Sequence, residues 1–127
     1  MRNAQLLSLL IVAGTLVPQP LRAQAEQAAK QIAVLRSEAP LHEKQAACRE
    51  LAVAGAPEAV PVLAGLLGDE KLAHAARIAL ETIPDPSAGD ALREALSQLK
   101  GKLLAGVVNS IGVRRDAKAA QPLAKLL

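Results

Sequence analysis

The sequence contains no phenylalanine, tryptophan or tyrosine, and its only cysteine is Cys48. Without aromatic rings there is nothing on which sugars or single-stranded bases are usually stacked, so binding of flat ligands is disfavoured. One cysteine excludes an internal disulfide, and stability has to come from packing. Cys48 lies among Ala46, Ala47 and Leu51 and reads as a small buried thiol, with an intermolecular disulfide as the alternative. A glycine-rich phosphate loop is also missing. The eight glycines are scattered, and Gly55, Gly68, Gly101 and Gly112 stand where helices are expected to end. Hydrolytic machinery is not in view either. Ser87, Ser97 and Ser110 lie in helical or capping context with no nucleophile elbow, and no two carboxylates form a pair with acid–base logic. His42 and His74 stand 32 positions apart. A metal site would need both of them and a carboxylate such as Glu43, Asp69 or Glu70, and nothing fixes that geometry, so they read as solvent-facing or groove-lining. The expectation is a protein with no catalytic set, no cofactor and no metal.

What is present is alanine and leucine. Of the 127 residues 51% are hydrophobic, and both dominant types are strong helix formers, which predicts an all-α protein. At the N-terminus, Arg2 precedes an apolar run over residues 6–17, Pro18 and Pro20 end it, and Ala23-Gln24-Ala25 has the small-x-small form of a cleavage site. Twelve residues fall short of the ~20 needed to span a bilayer. The run therefore reads as an export signal (residues 1–25), cleaved after Ala25 or Ala23. A periplasmic or extracellular chain with no stable membrane insertion follows from that.

Fifteen basic and twelve acidic residues give a net charge of +3, and loss of Arg2 and Arg22 with the leader leaves +1. Such a balance is a poor match to nucleic acid. The charge is unevenly placed, at −3 over residues 26–89 and +4 over residues 90–127. Solvated helix faces account for this, and the sharper reading is a surface that steers an acidic partner toward the C-terminal half.

A repeat of about thirty residues organises the rest. Leu63-Ala64-Gly65-Leu66-Leu67 recurs as Leu123-Ala124-Lys125-Leu126-Leu127, with Leu92-Arg93-Glu94-Ala95-Leu96 midway. Between them, Ala76-Arg77-Ile78-Ala79-Leu80 follows Ala47-Cys48-Arg49-Glu50-Leu51 by 29 positions, and a third copy surrounds Val107 to Ile111 with a shift of about one residue. Each unit thus holds two helices, A then B. In the clearest unit Pro57 and Glu58 open helix A, and Gly68 closes it. Asp69 can cap helix B, and Pro84 stops that helix. Helix B then places Leu72, Ala75, Ala76, Ala79, Leu80 and Ile83 on one face, with Glu81 expected on the solvent side. The first unit has helices over about 26–37 and 41–54, the third over about 86–99 and 102–111, and residues 116–127 form a last helix A. Pro61 and Pro122 fall inside helix A, where each is expected to bend it. The units run about 26–55, 56–84, 85–113 and a half unit 114–127, a predicted α-solenoid of about three and a half stacked helix pairs.

The stretch from Pro57 through Val60, Pro61, Leu63, Leu66 and Leu67 to Gly68-Asp69 resembles the first helix and turn of a HEAT repeat, in the short form of the phycobilisome lyases. Val108-Asn109-Ser110-Ile111-Gly112 and the residues after it resemble the junction of two such repeats. The likeness covers about residues 26–127, in an exported bacterial form, and implies architecture rather than activity. It also implies an arginine near the start of helix B that laces neighbouring repeats. Here Leu72 and Ala73 take those positions, with Arg77 further along, so stacking is expected to rest on apolar contacts.

The expected function is a non-enzymatic exported scaffold that binds a protein partner along a curved helical surface. The alternative is an N-terminal docking module of a longer exported enzyme or cofactor protein. Candidate partner-binding residues are Arg114 and Arg115 in an inter-repeat turn, Asn109 and Ser110 as polar groups exposed in an otherwise apolar helix B, and Leu123, Leu126 and Leu127. These last three are expected to leave an apolar side open to self-association, to further repeats or to the partner.

Overall fold

Proline marks where many of the helices start, because its missing N–H falls where a first turn has no intrahelical acceptor in any case. The computed structural model describes residues 18–127. Within them the chain is all-α, with seven α-helices, two 3₁₀ turns and no strand. Helix α1 (Gln19–Arg36) has Pro20 in its first turn. Helix α2 (Leu41–Ala54) follows Pro40 and ends at Gly55, which is left-handed at φ 63°. The 3₁₀ turn Pro57–Ala59 leads into α3 (Val60–Gly65). Next come α4 (Ala73–Thr82), α5 (Pro86–Ala95) and α6 (Gly101–Arg114). A second 3₁₀ turn, Ala117–Ala119, precedes α7 (Ala120–Ala124).

Several boundaries depart from the sequence reading. Helix α1 begins at Gln19 rather than near residue 26, so Ala23, Gln24 and Ala25 lie inside it. Pro18 and Pro20 start a helix there, and the Ala, Gln, Leu and Arg residues that follow sustain it. The apolar run over residues 6–17 lies outside the described residues. Neither Pro61 nor Pro122 lies in the interior of one continuous helix. The two expected A helices that contain them are each split into a 3₁₀ turn and a short α-helix, and each proline lands in the first turn of the latter. Helix α5 stops at Ala95 instead of near residue 99; the Ser97 hydroxyl donates to the Glu94 carbonyl at 3.1 Å, a local bond that competes with helix continuation. Helix α6 runs three residues beyond the expected end, with Gly112 inside it.

Helix α2 packs between α1 and α4, and α4 packs in turn against α6. Helix α3 lies against α4 and α5, and α5 against α6. The core between them is aliphatic throughout. Leu51, Leu63, Leu80, Ile83, Leu92, Val107 and Ile111 are fully buried, and Ala47, Ala59, Ala76, Ala79 and Ala88 let the helices approach closely. Burying each large aliphatic side chain stabilises the fold by about 1.5–3 kcal/mol. Packing starts at Ala28, and every residue from 18 to 27 is exposed. No helix among the described residues is long and apolar enough to cross a membrane.

Candidate interaction surface

The side-by-side packing of α2, α4 and α6 leaves one face of each uncovered. Exposed positions recur at a spacing of four, the spacing that keeps side chains on one helix face. They are Arg49 and Val53 on α2, His74, Ile78 and Thr82 on α4, and Ala105, Asn109 and Val113 on α6. The opposite faces carry core residues such as Leu51, Leu80 and Ile111. Three aliphatic side chains stand out on this surface, with Val53 91%, Ile78 39% and Val113 57% exposed.

Asn109 belongs to this surface, as the sequence suggested, but Ser110 does not. Ser110 is fully buried, against the expectation of an exposed polar group. One step round the helix turns it into the contact with α4, where its hydroxyl donates to Glu81 Oε1 at 2.7 Å and lies 3.3 Å from Arg77 Nη1. Glu81 is accordingly half-buried at the α4–α6 contact, not on the solvent side.

Arginine does lace neighbouring helix pairs, contrary to the expectation of purely apolar stacking. Arg77 Nη1 donates to the Gly106 carbonyl at 2.9 Å, and Nη2 sits 3.2 Å from His74 Nδ1. Its guanidinium lies so close to α6 that a Cβ on residue 106 would fall 2.6 Å from Arg77 Cζ. Gly106 is thus the residue that admits Arg77. Neither residue was singled out from sequence for this role; Arg77 looked displaced from the usual lacing position. The 29-residue spacing between the two, close to the period of about thirty residues in the sequence, is the signal that could have found them.

Arg114 is not an open anion-binding edge. Its guanidinium reaches back to the end of α4, donating to the carbonyls of Leu80 at 2.7 Å, Ile83 at 2.6 Å and Asp85 at 3.3 Å. Carbonyls in the last turn of a helix lack intrahelical partners, so Arg114 acts as a cap delivered from the next helix pair. Arg115 is exposed and left-handed, at φ 54°. Asp116 accepts from the Lys118 amide at 3.1 Å, capping the 3₁₀ turn, and pairs with Arg93, which also pairs with Asp90. Arg93, Arg114, Arg115 and Lys118 line a hollow of about 340 Å³ together with Asp90 and Asp116. Leu123 is half-buried and packs on the core, whereas Leu126 is 43% exposed and Leu127 wholly so.

Asp85 and Ser87 serve local structure. Ser87 donates to the carboxylate of Asp85, the N-cap of α5, and this bond, with the Ser87 amide, holds the Asp85 carboxyl below the usual carboxylate range. His42 and His74 are both exposed, and no group of three or more His, Cys, Asp and Glu side chains among the described residues is placed to hold a metal ion. The Cys48 thiol is fully buried, and that burial pushes its pKa up to about 11. No protein-family profile, no curated protein and no solved structure matches the chain.

Proposed function

We propose that this chain is an exported, non-enzymatic scaffold of stacked HEAT-like helix pairs, a short solenoid that binds a protein partner across the exposed faces of α2, α4 and α6. One observation carries the reading: three neighbouring helices present exposed Val53, Ile78 and Val113 on a surface otherwise made of polar and small side chains. Aliphatic anchors set in a polar surround suit a protein surface. The polar bonds from Arg77 and Arg114 favour the stacked arrangement, because each ties one helix pair to the next. Export is favoured by the position of the core. Cleavage after Ala25 or Ala23 removes only exposed residues of α1 and leaves Ala28 and everything it packs on untouched. The test is site-specific photocrosslinking in cells, with a photoreactive side chain at position 53, 78 or 113 and, as control, at the exposed Ala33 on α1. Capture of one common protein from the first three positions and not from residue 33 is expected. Equal capture from all four, or none, refutes the assignment. N-terminal sequencing of the exported protein should begin at Glu26 or Gln24; an intact Met1 there refutes export with cleavage.

A further inference from the structure

The hollow between α5 and the turn after α6 uses none of the residues of the face described above, and its chemistry is different. Most of its charges are already engaged. Arg93 pairs with Asp90 and Asp116, and Arg114 is occupied by backbone carbonyls. Arg115 and Lys118 remain, both exposed, and among the described residues neither has a carboxylate within ion-pairing distance. Two cations therefore face a cavity of about 340 Å³ without a counter-charge.

The backbone at Arg115 adds a second observation. It is the only non-glycine residue at positive φ among the described residues. Helix α2, of the same 14-residue length as α6, ends on Gly55 in the same left-handed conformation. Glycine adopts that conformation without steric conflict, whereas a Cβ makes it costly. An arginine held there costs local stability relative to glycine, and Arg115 is one of the residues that line the hollow.

We propose that the hollow binds side-chain carboxylates of an acidic polypeptide segment, between the guanidinium of Arg115 and the ammonium of Lys118. The planar guanidinium matches a carboxylate in a two-point contact. Arg93, Arg114, Arg115 and Lys118 against Asp90 and Asp116 leave the lining with a formal excess of two positive charges, which two neighbouring carboxylates of one acidic segment can balance. The absence of aromatic residues leaves no stacking platform for a nucleic acid.

The experiment is an NMR titration of the ¹⁵N-labelled full chain with hexaglutamate, with hexaglutamine and inorganic phosphate in parallel. Hexaglutamate should shift the amides around Arg115 and Lys118, with an affinity that falls as salt rises. Arg115→Gly and Lys118→Gln should each weaken binding by about fivefold or more, and Lys30→Gln, an exposed lysine on α1, should leave it unchanged. Arg115→Gly should at the same time raise the melting temperature. Undiminished binding by Arg115→Gly or by Lys118→Gln overturns the proposal, as does equal binding of hexaglutamine. Loss of binding by Arg115→Gly with a fall in melting temperature overturns it too, since the loss then reports a damaged fold. Phosphate, an oligonucleotide or an anionic lipid vesicle binding more tightly at the same amides overturns the assignment to a polypeptide carboxylate.

Discussion

Replacing Gly106 by alanine sets two physical effects against each other, and the structure says which one wins. Gly106 lies inside α6, where alanine is favoured over glycine by about 1 kcal/mol on helix propensity. The new Cβ, however, would stand 2.6 Å from Arg77 Cζ and 2.7 Å from Nε. The guanidinium is the mobile end of its side chain and can withdraw, but only by giving up its bonds to the Gly106 carbonyl at 2.9 Å and to Ser110 Oγ at 3.3 Å. Hydrogen bonds from a charged donor contribute about 1.5–3 kcal/mol. Because Arg77 is only half-buried and the second bond is long, the pair of bonds contributes ~2 kcal/mol. The net expectation is a destabilisation of about 1 kcal/mol. In an Arg77→Ala background the three atoms nearest the new Cβ are gone, and the same Gly106→Ala change should stabilise by about 1 kcal/mol. The two changes are therefore coupled by about 2 kcal/mol, and the effect of the alanine reverses sign. Urea unfolding of the four proteins measures it. With no tryptophan or tyrosine in the chain, far-ultraviolet circular dichroism is the natural signal. If Gly106→Ala stabilises equally in both backgrounds, Arg77 ties nothing together and the reasoning fails.

Four further outcomes follow from named residues. Arg114→Met keeps the apolar stem but removes the donors to Leu80, Ile83 and Asp85, and denaturant melts should show a loss of about 1.5–3 kcal/mol; no loss would mean that the α4 carbonyls are satisfied by water. Leu80→Ala should cost about 2–5 kcal/mol at its fully buried site, and Glu81→Ala about 1–2 kcal/mol through the acceptor it withdraws from buried Ser110; a negligible effect of Glu81→Ala would restore the sequence expectation that this residue faces solvent. The buried Cys48 thiol titrates in the folded chain at about 11 against an ordinary 9.0, so its contribution is complete below the unfolded value and is lost as pH rises through the folded one. Between about pH 8 and 11 the wild type should lose on the order of 2–3 kcal/mol more than Cys48→Ala, read as the difference between their urea midpoints; parallel curves would show that burial does not hold the thiol neutral.

Residue types and spacing alone were enough to establish that the described chain is helical and where its cores lie. The alternation of Ala and Leu with proline and glycine punctuation marked α2 to the residue, and Leu63, Leu80 and Ile83 are as buried as their phase requires. These are local properties: helix propensity and the 3.6-residue period act within one element. Expectations about chemistry across elements fared otherwise. Asn109 and Ser110 are adjacent in sequence and opposite in fate, one exposed and one fully buried against Glu81. Arg114 looked like an open charge in a turn and is instead occupied by carbonyls about thirty residues earlier. Arg77 looked displaced from the lacing position, yet Gly106 opens a path for it on the next helix. Each of these contacts spans 29 to 34 residues. Helical phase says which way a side chain leaves its own helix. Which carbonyl or hydroxyl it meets depends on the register and closeness of the neighbouring helix, and tertiary packing alone decides that.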